Sequence, residues 1–147
     1  MPWQRRTEML RTPRVLLLTN DEQQARSLEE LLREHIILTQ AKSLPDLREL
    51  LRTRQFDTLF CDWAFYIGQW QHLLQDIQKH DPVLPVIVLS RTGGEKEWVE
   101  VIEAGGFDLL VPPYCERMVL SVLIQATASR EARANNDIAQ AFRAKVG

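Results

Sequence analysis

Short apolar runs punctuate this chain at regular intervals, and the stretches between them carry helical spacing. The runs are RVLLLT (14–19), IILTQA (36–41), TLFC (58–61), VIVL (86–89) and DLLV (108–111), each of strand length. Between the first two, Ala25, Leu28, Leu31 and Leu32 recur at helical spacing from Glu22 to Glu34, with Asn20-Asp21 placed to cap that helix. Ser43 reads as the N-cap of a second helix with Pro45 and Asp46 in its first turn, running to about Thr53. Leu73, Leu74 and Ile77 mark a third between Gly68 and His80. Trp98, Val101 and Ile102 stripe a short fourth that Gly105-Gly106 ends. A fifth begins near Glu116 and extends, by pattern, to about Lys145.

Strands that read as continuous apolar runs, with no in–out alternation, are covered on both faces. Five such strands alternating with five helices predict a doubly wound (βα)5 sandwich: a five-stranded parallel sheet between two helical layers, with an extended C-terminal helix. Ligands of such sheets bind beyond the carboxyl ends of the strands, where the strand order reverses. The residues just after each strand are therefore the candidates for chemistry. They are Thr19, Asn20, Asp21 and Glu22 after the first strand and Asp62 after the third. Ser90 and Arg91 follow the fourth, and Pro112, Pro113 and Tyr114 the fifth.

Composition narrows the function classes. The 147 residues suit one domain. No apolar run reaches the roughly 20 residues of a membrane span, and the first residues lack the apolar core of a signal peptide. Cys61 and Cys115 form no CxxC pair and have no metal-spaced partner, so they read as reduced thiols of a cytoplasmic protein. The overall charge of −2 conceals an asymmetry: residues 1–14 and 129–147 together carry +5, leaving −7 on residues 15–128. An acidic body argues against nucleic-acid binding and would suit a divalent cation, although on composition alone a solvated acidic surface is the plainer and better-supported reading.

Asp62 poses the sharpest question. It ends an apolar run, and four of the next eight residues are aromatic (Trp63, Phe65, Tyr66, Trp70). A carboxylate there costs desolvation energy unless something pairs with it or uses it. If the first and third strands are neighbours, Asp21 and Asp62 converge, and a Mg²⁺ ion keeping several waters would relieve their repulsion. Asp62 could equally cap a turn, and Asp21 could equally cap the first helix.

These strand ends resemble those of the response-regulator receiver domain, the phospho-accepting unit of two-component signalling, over the whole span from Arg14 to about Thr127. LLLTNDEQ resembles the family's first strand and acidic pair, FDTLFCDW the strand ending in the phosphorylated aspartate, LPVIVLS the strand ending in Ser/Thr, and EAGGFDLLVPPY the segment ending in Lys-Pro-Phe. The resemblance implies a flavodoxin-like fold and a receiver at 14–127. It is flanked by a loose basic arm at 1–13 and a helical extension or linker at 128–147. It implies Asp62 as phospho-acceptor and Ser90 as a phosphoryl hydrogen-bond donor. Mg²⁺ would be held by Asp21, Asp62 and the Ala64 backbone carbonyl, with Asn20 a weak contributor. The partner would be a histidine kinase or phosphotransfer protein, with no nucleic acid or membrane contacted. No enzymatic activity beyond slow autophosphatase is implied. Pro113 matches a proline that follows a cis bond in the family.

Five departures from the family pattern involve six positions. Pro112 replaces the lysine, Asn20 the first acid of the pair, Leu109 the aromatic switch residue and Arg91 a small residue. Phe65-Tyr66 replace Met-Pro. Losing a preorganised cation of this kind typically costs about 3–4 kcal/mol in the transition state. The alternative reading is thus a pseudo-receiver, a phosphorylation-independent interaction module. Arg91 could stand in for the lysine or point into water. Trp63, Phe65, Tyr66 and Trp70 form either a partner surface or a cover for the sheet edge. Tyr114 and Phe107 read as packing residues, and His35, His72 and His80 as surface histidines. A flavin-binding or hydrolytic α/β enzyme fits the architecture but not the loops, because TNDEQ places carboxylates where a phosphate would need N–H groups.

In the tail, Ala128, Ala132, Asn135, Ala139, Phe142 and Val146 space out as a weak heptad seam. Such a seam suits self-association or a linker into an output domain, and a frayed Ala-rich tail is its plain counterpart.

Overall fold

The computed structural model describes residues 12–65, 70–90 and 94–146, with side chains in those ranges except at 70, 71 and 136–146. Residues 1–11 of the basic arm, Tyr66 and Arg91 lie outside what is described, as do the side chains of Trp70 and of the outer seam positions Ala139, Phe142 and Val146.

Among the described residues five strands and five α-helices alternate: β1 (Arg14–Leu18), α1 (Glu22–Leu32), β2 (Ile37–Ala41), α2 (Leu44–Thr53), β3 (Thr58–Asp62), α3 (Trp70–His80), β4 (Val86–Leu89), α4 (Glu95–Glu103), β5 (Asp108–Leu110) and α5 (Glu116–Val146), with a single 3-10 turn at Trp63–Phe65. The strands form one parallel sheet in the order β2-β1-β3-β4-β5. The order turns back between β1 and β3, which places the expected crevice at their carboxyl ends.

Alternate strand residues feed two cores. Leu16, Leu18, Leu59, Cys61, Val86 and Val88 face α2, α3 and α4 through Leu47, Leu73, Leu74, Ile77 and Val101. Val15, Leu17, Phe60, Ile87 and Leu89 face α1 and α5 through Leu28, Leu32, Val119, Val122 and Ala126. Both faces of β1, β3 and β4 are therefore covered, as the unbroken apolar runs require.

Local chemistry sets the boundaries. The Asp21 carboxylate caps α1 by accepting from the Gln23 and Gln24 N–H groups, and Ser43 Oγ caps α2 by accepting from Asp46 N–H. At the end of α4, Gly106 N–H donates to Val101 O at 2.8 Å and Gly105 N–H to Ile102 O at 3.1 Å, the two-bond closure that needs a left-handed residue. Gly105 supplies it with φ +100°. The stripe read on α4 behaves differently from the expectation: Val101 is buried, while Trp98 is 46% and Ile102 37% exposed. A nine-residue helix over the short edge strand β5 has room to bury one residue of its stripe. The tail is a single helix of 31 residues, twice a usual globular length. It buries apolar residues as far as Ala126, and Arg130 pairs with Asp81 at 3.0 Å.

Candidate functional site

Parallel register brings two of the strand ends level. Leu18 pairs with Cys61, so the next residues in step are Thr19 and Asp62. Asp62 is 6% exposed and Thr19 fully buried. The Thr19 hydroxyl approaches Asp62 Oδ2 at 2.8 Å, and Ala64 N–H donates to Asp62 Oδ1 at 3.1 Å. Each carboxylate oxygen of Asp62 thus has a donor, which answers the desolvation cost of ending a buried strand in an acid.

Thr19 is the hub. Its Oγ1 also lies 3.0 Å from Gln24 Oε1 and accepts from Asp21 N–H at 3.1 Å. A hydroxyl carries one hydrogen, and the charged, nearer oxygen of Asp62 is the stronger acceptor for it. Gln24 in turn donates from Nε2 to Tyr114 Oη at 3.0 Å. With that hydrogen on Asp62, Thr19 and Gln24 Oε1 are in contact without a hydrogen bond between them, and Gln24 is tied to Tyr114, which follows the cis Pro112–Pro113 bond. Asp21 joins this cluster through its backbone, while its carboxylate faces the α1 cap (Gln23 N 3.0 Å, Gln24 N 3.2 Å). Asn20 is exposed.

Ser90 follows β4 one step beyond the Asp62↔Leu89 pair and is 1% exposed. Its backbone N–H donates to Leu110 O at 2.9 Å, and its hydroxyl donates to Glu97 Oε2, on the first turn of α4, at 2.7 Å. On the far side, Pro112 is exposed, and Leu109 is half-buried against the core beneath α4. Trp63 and Phe65 pack against the same core, so these two serve as cover for it. Tyr114 and Phe107 pack on the opposite core, as their packing role anticipates. His72 and His80 are exposed, and His35 bonds Glu116 Oε1 at 2.8 Å.

Pattern reading placed Thr19 and Tyr114 among the strand-end candidates without giving either a partner, and it missed Glu97 and Gln24. The partner of Thr19 could have been found by counting: it follows β1 as Asp62 ends β3. Glu97 and Gln24 stand at ordinary helix-surface positions, and nothing in the pattern distinguishes them from solvated side chains.

Of the two acids expected to hold a cation, Asp62 ends β3 beside Thr19, while the Asp21 carboxylate accepts from the first turn of α1. Among the described residues no group of three or more His, Cys, Asp or Glu side chains is arranged to hold a metal. Magnesium asks for less, one or two carboxylates with retained water, and a carboxylate oxygen that accepts one hydrogen bond keeps further lone pairs. The residues present fit such an ion.

Comparison with known proteins agrees with the geometry. The family model described as the response regulator receiver domain matches residues 15–124. The response regulator protein PilR of Pseudomonas aeruginosa is 30% identical over 99 residues, a match covering 66% of this chain and 22% of that protein. The chain thus spans about a fifth of that relative's length. A receiver domain protein from Clostridium thermocellum superposes with TM-score 0.70 at 18% identity, covering 82% of this chain and 98% of that one. A structure described as the adenylate cyclase of Rhodopirellula baltica does so with TM-score 0.75 at 14% identity, covering 88% and 98%. At such identities the structural likeness is one of fold alone.

Proposed function

Because the chain belongs to the response regulator receiver domain family, whose members are signalling domains, we propose that Asp62 accepts a phosphoryl group from a histidine kinase or phosphotransfer protein. The observation carrying this is the placement of Asp62: a nearly buried carboxylate at the end of the central strand, with Thr19 and Ala64 aiming donors at its two oxygens. A carboxylate so held is oriented for in-line attack, and orientation is most of what phosphoryl transfer asks of a protein. A carboxylate oxygen of Asp62 forms the new O–P bond as the bond to the donor's imidazole nitrogen breaks. The electron pair returns to the ring, which takes up a proton.

One Mg²⁺, held by Asp21, Asp62 and the Ala64 carbonyl with Asn20 as a weak outer contributor, would neutralise phosphoryl charge when bound. Ser90 would donate to a phosphoryl oxygen. Pro112 offers neither charge nor N–H where the family has lysine, so the transfer is slow by about 3 kcal/mol of barrier. The phosphorylated state would act through a changed interaction surface, either on an output domain or through self-association along α5. Residues 14–127 form the receiver in this reading, and 128–147 its extension.

Incubation with acetyl phosphate and Mg²⁺, followed by intact-mass measurement, tests the reading. It expects the mass of one added phosphoryl group on the wild type and none on Asp62→Asn. An unmodified wild type rejects it. A second reading, the phosphorylation-independent interaction module, is favoured by the engagement of the Ser90 hydroxyl by Glu97 together with Pro112. It expects partner binding to survive Asp62→Asn unchanged.

A further inference from the structure

The Ser90 hydroxyl is held by a carboxylate from its own chain. Ser90 is 1% exposed, and its main chain is tied to β5 through Leu110, so the hydroxyl has little freedom to wander. Its oxygen meets Glu97 Oε2 at 2.7 Å, seven residues on. Glu97 stands in the first turn of α4, where an acid complements the helix dipole, and the N-cap residue Gly94 makes no side-chain cap bond of its own. A helix-dipole role needs only proximity to the first turn. It does not require the carboxylate to reach back to a buried hydroxyl on another element.

We propose that Glu97 is an internal ligand of Ser90, clamping the first turn of α4 to the end of β4 and competing with any phosphoryl oxygen for the one hydroxyl hydrogen. The competition rests on the reading of Asp62 as phospho-acceptor; the clamp does not. While Ser90 donates to Glu97, that hydrogen is withheld from a phosphoryl group one residue step away on β3. The Glu97 charge adds repulsion between like charges, where the family's lysine would have attracted. Displacement of Glu97 would release the α4 turn that carries the exposed Trp98, whose indole N–H reaches Asp108 Oδ1 at 3.3 Å. Phosphoryl acceptance and the position of α4 are thereby coupled through one carboxylate.

Two measurements on the intact chain decide this. Hydrogen exchange without any phosphodonor compares wild type, Ser90→Ala, Glu97→Ala and the double variant. The clamp expects amides 95–103 to exchange about tenfold faster in each single variant, with the double variant no faster than either. Unchanged exchange, or effects that multiply in the double variant, overturns it. Amides of β1 and β3 report whether a variant has folded, and Glu97→Gln, which keeps the size and an acceptor oxygen, is the substitute if Glu97→Ala has not. The second measurement is the rate of labelling by acetyl phosphate with Mg²⁺. Competition expects Glu97→Ala to label about tenfold faster than wild type, with Glu97→Gln between them; equal or slower labelling rejects it. Absence of label on every variant removes the acceptor role of Asp62 and the competition with it, while the exchange result still decides the clamp.

Discussion

The Thr19 hydroxyl stands 2.8 Å from Asp62 Oδ2, so a neutral donor occupies the position beside the central acid where a second carboxylate would repel it. A hydroxyl and a backbone N–H satisfy Asp62 in the absence of a cation. The body of the protein does not depend on metal to tolerate a carboxylate at the end of its central strand.

Replacing Thr19 tests this. Thr19→Val removes a hydrogen bond to a buried charged acceptor and should cost about 2 kcal/mol of stability, read as a lowered urea midpoint with unchanged slope. Thr19→Asp should lower stability in metal-free buffer and tighten Mg²⁺ binding in a titration followed by tryptophan fluorescence, since Trp63 adjoins Asp62. A Thr19→Asp variant as stable without Mg²⁺ as the wild type would contradict this account of the site.

Thr58 offers the opposite case. Its hydroxyl is buried at the start of β3 and has no hydrogen-bond partner among the described residues. Thr58→Val keeps the shape and the β-branch while removing an unsatisfied polar group. It should raise stability by about 1 kcal/mol in chemical denaturation. A loss of stability of that size would mean that the hydroxyl is satisfied in solution.

Gly106 is constrained by space. A Cβ there would meet Val101 Cγ1 at 2.6 Å and Val101 O at 3.0 Å. The side-chain methyl can turn away, but the carbonyl belongs to the bond that closes α4. Gly106→Ala should therefore destabilise by about 1–3 kcal/mol in thermal or urea unfolding. The faster-exchanging amides should be those of α4 and β5, with β1 and β3 least affected.

The two cysteines should differ sharply toward iodoacetamide. Cys115, exposed just before α5, has its thiol pKa lowered by the Met118 and Arg117 N–H groups of the first helical turn. Burial, with the Asp62 charge second, pushes Cys61 far above the ordinary thiol range. Alkylation of Cys115 should reach half its maximal rate at a pH below that of a free thiol, and Cys61 should react only on unfolding. The linkage signs are opposite. A lowered folded pKa makes Cys115 favour folding increasingly as pH rises through that pKa. The raised pKa of Cys61 makes stability fall once pH exceeds its unfolded value, because only the unfolded chain releases that proton. Equal alkylation rates in the native protein would refute the placement.

Much of the architecture was legible because it follows from periodicity. Continuous apolar runs implied strands covered on both faces, and Ser43 with Pro45 and Asp46 marked the start of α2 within a residue. The resemblance to receiver domains led to Asp62, Ser90 and the Pro113 position. Contacts between side chains distant in sequence were not legible. Thr19 reads as a strand residue and Glu97 as a helix-surface acid, and only the register of β1 on β3 and the fold of α4 over β4 reveal what each touches. The α4 stripe misled for a related reason: helical spacing records which residues share a face, while the area facing them decides how many are buried. Trp98 and Ile102 share the Val101 face and remain half in water.

The long final helix has a mechanical consequence. At 1.5 Å per residue, its 31 residues make a rod about 46 Å long, and about 24 Å of it lies beyond Arg130, the last residue described as tied to the body. Tyr114, whose hydroxyl accepts from Gln24 beside the Thr19–Asp62 pair, sits two residues before its base. A tilt of about 5° at that base would sweep the far tip through roughly 4 Å over such a span. A displacement too small to see at the strand ends would thus arrive, magnified by leverage alone, at whatever the rod is joined to.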